Sequence, residues 1–173
     1  SITDGQIYLE PKLFYEGQKP AVNVGMSVSR VGGQTQSPAM KDLAKKLRLE
    51  YMQFLELEVF TRFGAMVDDR TKRTIEHGRR IRAILEQPEF KPLSLAAQVT
   101  LLLAVGDGKL DDMPLALVQR FKAAIGSLLD ERCPRTAARI EATGELVDED
   151  RHDLLDALDA FLSEIKLAAA KDH

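Results

Sequence analysis

Apolar residues recur every three to four positions from Met40 through Leu43, Ala44, Leu47, Tyr51, Phe54 and Leu55. That spacing is one face of an α-helix. Ser37-Pro38 opens it, because serine caps a helix and proline is tolerated at its first position. Gly64 is the expected stop. A second helix is predicted from about Asp68 to Leu85, with Ile75, Ile81, Ile84 and Leu85 inward. Gly78 inside it costs about 1 kcal/mol of helix propensity. Gln87 to Pro92 reads as a loop, and Ser94 opens an apolar helix to about Val105 that ends at Gly106-Asp107-Gly108. Pro114 starts a helix running through Phe121, Ile125 and Leu128. Pro134 interrupts it, and a shorter helix follows to about Thr143, where Gly144 makes another break. Asp148, followed by Glu149 and Asp150, suits a helix N-terminus. Leu154, Leu155, Leu158, Phe161, Leu162 and Ile165 then form one face of the last helix. Antiparallel helices with short connections predict a bundle.

Residues 1–36 have a different texture. β-formers at Tyr8, Phe14, Val22, Val24 and Val28 are interrupted by glycines and by Pro11 and Pro20. Short strands and loops are expected there. Ile2 to Leu9 reads as a strand or turn–strand unit, and the expectation is that the sequence is cut from a longer polypeptide, inside a domain rather than at a linker.

Composition narrows the function. The chain has 173 residues, 45% of them hydrophobic, and a formal net charge of -3. Neither disorder nor nucleic-acid binding fits that balance. Cys133 is the single cysteine, so no internal disulfide is possible and a reducing compartment is expected. No run approaches the ~20 apolar residues of a membrane span, so any membrane link goes through partners. Charge is uneven: residues 41–82 hold eleven Lys and Arg against seven acids, and residues 145–173 hold three against nine. Such stretches are solvated faces or opposite patches that meet, within the chain or between subunits. His77, His152 and His173 lack the spacing of a metal site. Asp153, Asp156 and Asp159 read as a solvated helix face.

The strings SITDGQI (Ser1–Ile7), LFYEGQKPAVNVGMSVSRVGGQTQ (Leu13–Gln36), AMKDLAKKLRLEYMQF (Ala39–Phe54) and RFG (Arg62–Gly64) resemble the ATP synthase alpha subunit family. The run Val24 to Gly32 is its most specific part. After about residue 70 the likeness thins, but it stays in order through Val99–Leu110 and Ala142–Leu146. The resemblance implies a mainly α protein. Residues 1–36 would be the last strands of a truncated RecA-like α/β nucleotide-binding domain, and residues 37–173 the C-terminal helical bundle. The phosphate-binding pattern G-x-x-x-x-G-K-S/T does not occur in the sequence, so the piece alone is not expected to hydrolyse ATP.

The same resemblance places Arg30 as an arginine finger acting on ATP held by an adjacent beta subunit. Ser27 belongs with it in catalysis, and Val28 would line the neighbour's nucleotide pocket. A capping hydroxyl for Ser27 and simple packing for Val28 are the plainer readings. A second, non-catalytic nucleotide site is implied at Phe14, Lys19, Gln87, Pro88 and Glu89. Phe14 and Gln87 match the family. Lys19 stands where arginine is common, and Pro88-Glu89 replaces Gly-Gln of the usual Gln-Gly-Gln. Proline deletes a backbone donor, and glutamate offers acceptors only. These departures point to a divergent alpha subunit, bacterial or a second operon copy. The implied cofactors are ATP or ADP with Mg2+ in the full complex and none in the piece alone. Implied partners are the beta subunit, in an alternating hexamer, and the central gamma shaft. The acidic loop Gly106–Asp112 would face that shaft or simply connect two helices. The implied location is the cytoplasmic face of the bacterial inner membrane, or its organellar equivalent, peripheral through the complex. Competing readings are a freestanding helical interaction module and a piece of a related RecA-like hexameric motor.

Overall fold

The computed structural model describes residues 3–62 and 68–171, excluding the side chains of residues 61 and 62. The expected stop at Gly64 and the terminal His173 lie outside the described residues. Strands β1 (Gly5–Gln6) and β2 (Val28–Ser29) pair antiparallel, with Gly5 opposite Ser29 and Gln6 opposite Val28. A single bridge joins Leu9 to Val22. Two short helices flank this pairing, α1 (Pro11–Tyr15) and α2 (Gly32–Thr35). Phe14, read above as a β-former, therefore sits on a helical turn. Pro11 explains the difference, since its fixed φ suits the first helical position.

The rest is helical: α3 (Pro38–Arg62), α4 (Asp69–Leu85), α5 (Leu95–Gly106), α6 (Leu115–Ala123), α7 (Ile125–Arg132), α8 (Pro134–Thr143) and α9 (Asp148–Lys171). The protein is thus mainly α, a helical bundle behind a small β ribbon. The helix expected to continue through Phe121 and Ile125 is divided at Ala124, whose φ of -94° and ψ of 1° leave the α region. Val118, Phe121, Ile125, Leu128 and Leu129 all stay buried across that kink.

Capping follows the sequence. Asp68 accepts from Thr71 N at 2.7 Å, which holds its carboxyl below the ordinary aspartate range. Ser94 accepts from Ala97 N at 3.2 Å, and Glu141 of α8 reaches across to accept from Ala96 N at 2.7 Å. Two of the four orphan N–H groups at the start of α5 are met in this way. Gly144 ends α8 at φ +70°, the left-handed position that favours glycine.

Helix α5 is apolar on nearly every side and lies at the centre, packed on α3, α4, α7, α8 and α9. A helix hydrophobic all round belongs inside. Helices α3 and α4 meet at Gly78, where an added Cβ would lie 2.0 Å from Phe54 Cγ. The propensity lost at Gly78 is exchanged for close approach of the two helices over a fully buried ring.

The acids of α9 pair with Lys109, Arg132 and Arg139, at 2.6, 2.6 and 3.0 Å for Asp159, Glu164 and Asp150. The Arg139–Asp150 contact is electrostatic only, because neither buried oxygen of Asp150 makes an aligned hydrogen bond. The basic 41–82 stretch draws on its own acids, with Arg82 forking onto Glu58 at 2.9 and 2.7 Å. Among the described residues no ion pair joins the two oppositely charged stretches.

Candidate functional site

Asn23 builds the turn that carries the arginine motif. Its side-chain oxygen accepts from Gly25 N and Met26 N, both at 3.0 Å, an Asx-turn. Its amide nitrogen donates to Glu10 at 2.8 Å, and its backbone N–H donates to the Tyr8 carbonyl at 2.8 Å. Ser27 closes the loop: its hydroxyl donates to the Asn23 carbonyl at 2.6 Å and accepts from Tyr8 N at 3.0 Å. Both capacities of that hydroxyl serve the backbone. Val28 follows on β2 and is 52% exposed.

Arg30 leaves the ribbon at the end of β2. Its backbone N–H donates to the Asp4 carbonyl at 2.9 Å, and Nη2 donates to the Thr3 carbonyl at 3.0 Å. The side chain is exposed, and no carboxylate among the described residues pairs with it. A permanently charged fork is thus held at a strand end by neutral acceptors, with donors remaining for an anion.

The second group of residues comes together through the backbone. Lys19 Nζ lies 5.0 Å from the centre of the Phe14 ring, within cation–π range. The Lys19 carbonyl accepts from Gln87 N at 2.8 Å. This joins Phe14 and Lys19 to the Gln87 loop, 68 positions away. Gln87, Pro88 and Glu89 are all exposed. The loop root is fixed by α6: Lys122 Nζ donates to the carbonyls of Ala83 (3.0 Å) and Glu86, and Gln119 donates to the Glu86 carboxylate at 2.9 Å. Burial lowers the Lys122 ammonium from its ordinary value, opposed by Glu86. Beyond the root, Phe90 stands 98% exposed at φ +57°.

The acidic loop Gly106–Asp112 is tied into the bundle. Lys46 donates to the Gly106 carbonyl at 2.6 Å, Arg151 lies 3.4 Å from Asp107, and Lys109 pairs with Asp159. His77 Nδ1 sits 2.6 Å from Asp111, with Nε2 3.4 Å from Glu50. These contacts reduce the acidic charge left for an outside partner. Primary spacing gave no hint of the carboxylates around His77. Among the described residues no cluster has the makeup of a metal site, and no helix is long and apolar enough to cross a membrane. Asn23, Glu10 and Arg48, whose Nη2 donates to the Ser27 carbonyl at 3.2 Å, were not singled out from sequence. The Asn-x-Gly spacing of 23–25 was the available signal.

Comparison with known proteins gives consistent matches. The family described as ATP synthase alpha/beta chain, C terminal domain, matches residues 36–161. ATP synthase subunit alpha 2 of Nitrosospira multiformis is 51% identical over 155 residues, covering 90% of this chain and 30% of that protein. ATP synthase subunit alpha 1 of Shewanella frigidimarina is 46% identical over 166 residues, covering 94% of this chain and 32% of that protein. ATP synthase subunit alpha 2 of Syntrophus aciditrophicus is 48% identical over 161 residues, covering 91% and 30%. The sequence thus spans about a third of the length of the curated relatives it matches.

Proposed function

Since the protein belongs to the family of C-terminal domains of ATP synthase alpha and beta subunits, we propose that it works as part of an alpha subunit and lends Arg30 to a nucleotide held by a neighbouring beta subunit. The observation that carries this reading is the placement of Arg30: exposed, at a strand end, held by the Thr3 and Asp4 carbonyls and free of any carboxylate partner among the described residues. Phosphoryl transfer is catalysed mainly by positioning and charge stabilisation, and an arginine supplied across an interface contributes about 10³–10⁵ in rate. Ser27, with its hydroxyl committed to Asn23 and Tyr8, acts by holding the turn that aims Arg30. Val28 offers an exposed apolar contact to the neighbour's nucleotide.

Phe14, Lys19 and the Gln87-Pro88-Glu89 loop form the purine-side wall of a second nucleotide site, one that binds ATP or ADP with Mg2+ without turning it over. The Lys19–Gln87 backbone hydrogen bond supports this grouping. Partners are the beta subunit, in an alternating hexamer, and a central gamma shaft, with the complex peripheral to the bacterial inner membrane on its cytoplasmic face. The numbered names of the relatives favour an alpha subunit from a genome with more than one copy.

The test is Arg30→Lys in the full-length subunit, assembled with its partners. Lysine keeps the charge but loses the planar fork. Multisite ATP turnover should fall by about 10³-fold or more, with hexamer assembly by size-exclusion chromatography unchanged. Unaltered turnover removes the catalytic assignment. The 173-residue polypeptide alone should show helical circular dichroism and no ATP hydrolysis.

A further inference from the structure

A cavity of about 380 Å³ opens between α3, the end of α4 and α5. Its walls are apolar, with Met40, Ala44, Leu47, Ile84, Leu101 and Leu102 facing inward. The size lies at the small end of the roughly 300–1,000 Å³ range of small-molecule sites.

The polar groups around it are unequal. Glu86 is turned away, its carboxylate accepting from Gln119 and its carbonyl from Lys122. Tyr51 hydroxyl is engaged by Gln18 and Arg82, both at 3.4 Å. Gln98 Nε2 is spent on the Leu93 carbonyl at 2.9 Å. What remains is donor-rich. Arg48 makes one hydrogen bond, to the Ser27 carbonyl, and pairs with no carboxylate among the described residues. The Gln87 side-chain amide lines the same cavity and makes no side-chain hydrogen bond among the described residues. An apolar chamber with an unneutralised guanidinium at its mouth selects a ligand with one anionic end and a hydrocarbon body.

We propose that this cavity binds a small amphipathic carboxylate, its hydrocarbon tail between α3 and α5 and its head on Arg48 and Gln87. Arg48 also reaches Ser27, so the head group would lie beside the segment that carries Arg30. Binding here is independent of whether Arg30 acts in catalysis.

The 173-residue polypeptide is titrated with decanoate and, separately, with decanol, following Leu101 and Leu102 methyl resonances. Decanoate should saturate these shifts and bind about tenfold more tightly than decanol, the worth of a charge-assisted contact. Arg48→Met should remove that preference by weakening decanoate alone. Leu102→Trp, a change at the partly exposed rim, should block both ligands while circular dichroism stays unchanged. No saturation at millimolar decanoate, equal binding of the two ligands, or undiminished decanoate binding by Arg48→Met each overturns the proposal.

Discussion

Replacing Gly78 with alanine sets two opposite effects against each other, and the structure decides between them. Helix propensity favours alanine by about 1 kcal/mol. The new Cβ, however, would fall 2.0 Å from Phe54 Cγ and 2.3 Å from both Cβ and Cδ2. Phe54 has little room to yield. Its ring lies 5.7 Å from Tyr51 and beneath the Arg82 guanidinium at 4.7 Å. Arg82 is itself forked onto Glu58. Helix α4 must therefore move off α3, and overpacking of this kind costs about 1–3 kcal/mol. Set against the propensity gain of about 1 kcal/mol, a net loss of about 1 kcal/mol is expected for Gly78→Ala. With a urea slope of about 2 kcal/mol/M, the midpoint should fall by about 0.5 M, read by circular dichroism. Phe54→Ala removes two of the three crowding atoms and leaves space for α4 to settle. In that background the penalty should shrink, giving a coupling of about 1 kcal/mol or more in the double-mutant cycle. If Gly78→Ala matches or exceeds the parent in stability, the close-approach argument is wrong.

Two further outcomes follow from the same packing. Ser94→Ala removes the acceptor for Ala97 N and should cost about 1 kcal/mol, measured as a shift in the urea midpoint. Cys133 is buried, and desolvation, reinforced by Asp153, pushes its thiol up to about 11 from 9.0. Between those values the unfolded state loses its proton first, so stability should decline as pH rises above about 9. The parent should lose more between about pH 8 and 10.5 than Cys133→Ala does, and the native thiol should resist alkylation at about pH 8.

The helices were legible because their signals are local. Asp68 and Ser94 stand where their helices were expected to start and each caps one, Gly144 ends α8, and the three-to-four spacing of α3, α4 and α9 coincides with buried faces. The misses have physical causes. Ala124 carries no breaker chemistry, so the α6–α7 kink left no mark in the sequence. Phe14 has strand propensity, but Pro11 three positions earlier sets a helical turn, and propensity is the weaker influence. Net charge alone left open whether the basic and acidic stretches are solvated faces or patches that meet. The pairs that do form, such as Arg82–Glu58 and Lys109–Asp159, are settled by helix packing rather than by block totals.

Gly78 was visible in sequence only as a weakness, yet the helix it lies on determines how both candidate loops are held. Two residues beyond Gly78 on α4, Arg80 is buried and donates from Nε and Nη2 to the Met113 carbonyl at 3.2 and 2.9 Å, fixing the exit of the acidic loop. One turn further on, at the C-terminal end, the carbonyls of Ala83 and Glu86 take Lys122, fixing the root of the Gln87 loop. Just before both anchors, the bare backbone at Gly78 seats α4 on Phe54. A shift of α4 away from α3 would therefore reach both loops, because their anchors lie on one rigid element. No residue type announces such a strut. It emerges only from three contacts, 33 to 39 positions apart for Arg80–Met113, Glu86–Lys122 and Ala83–Lys122, which converge on one helix when the protein folds.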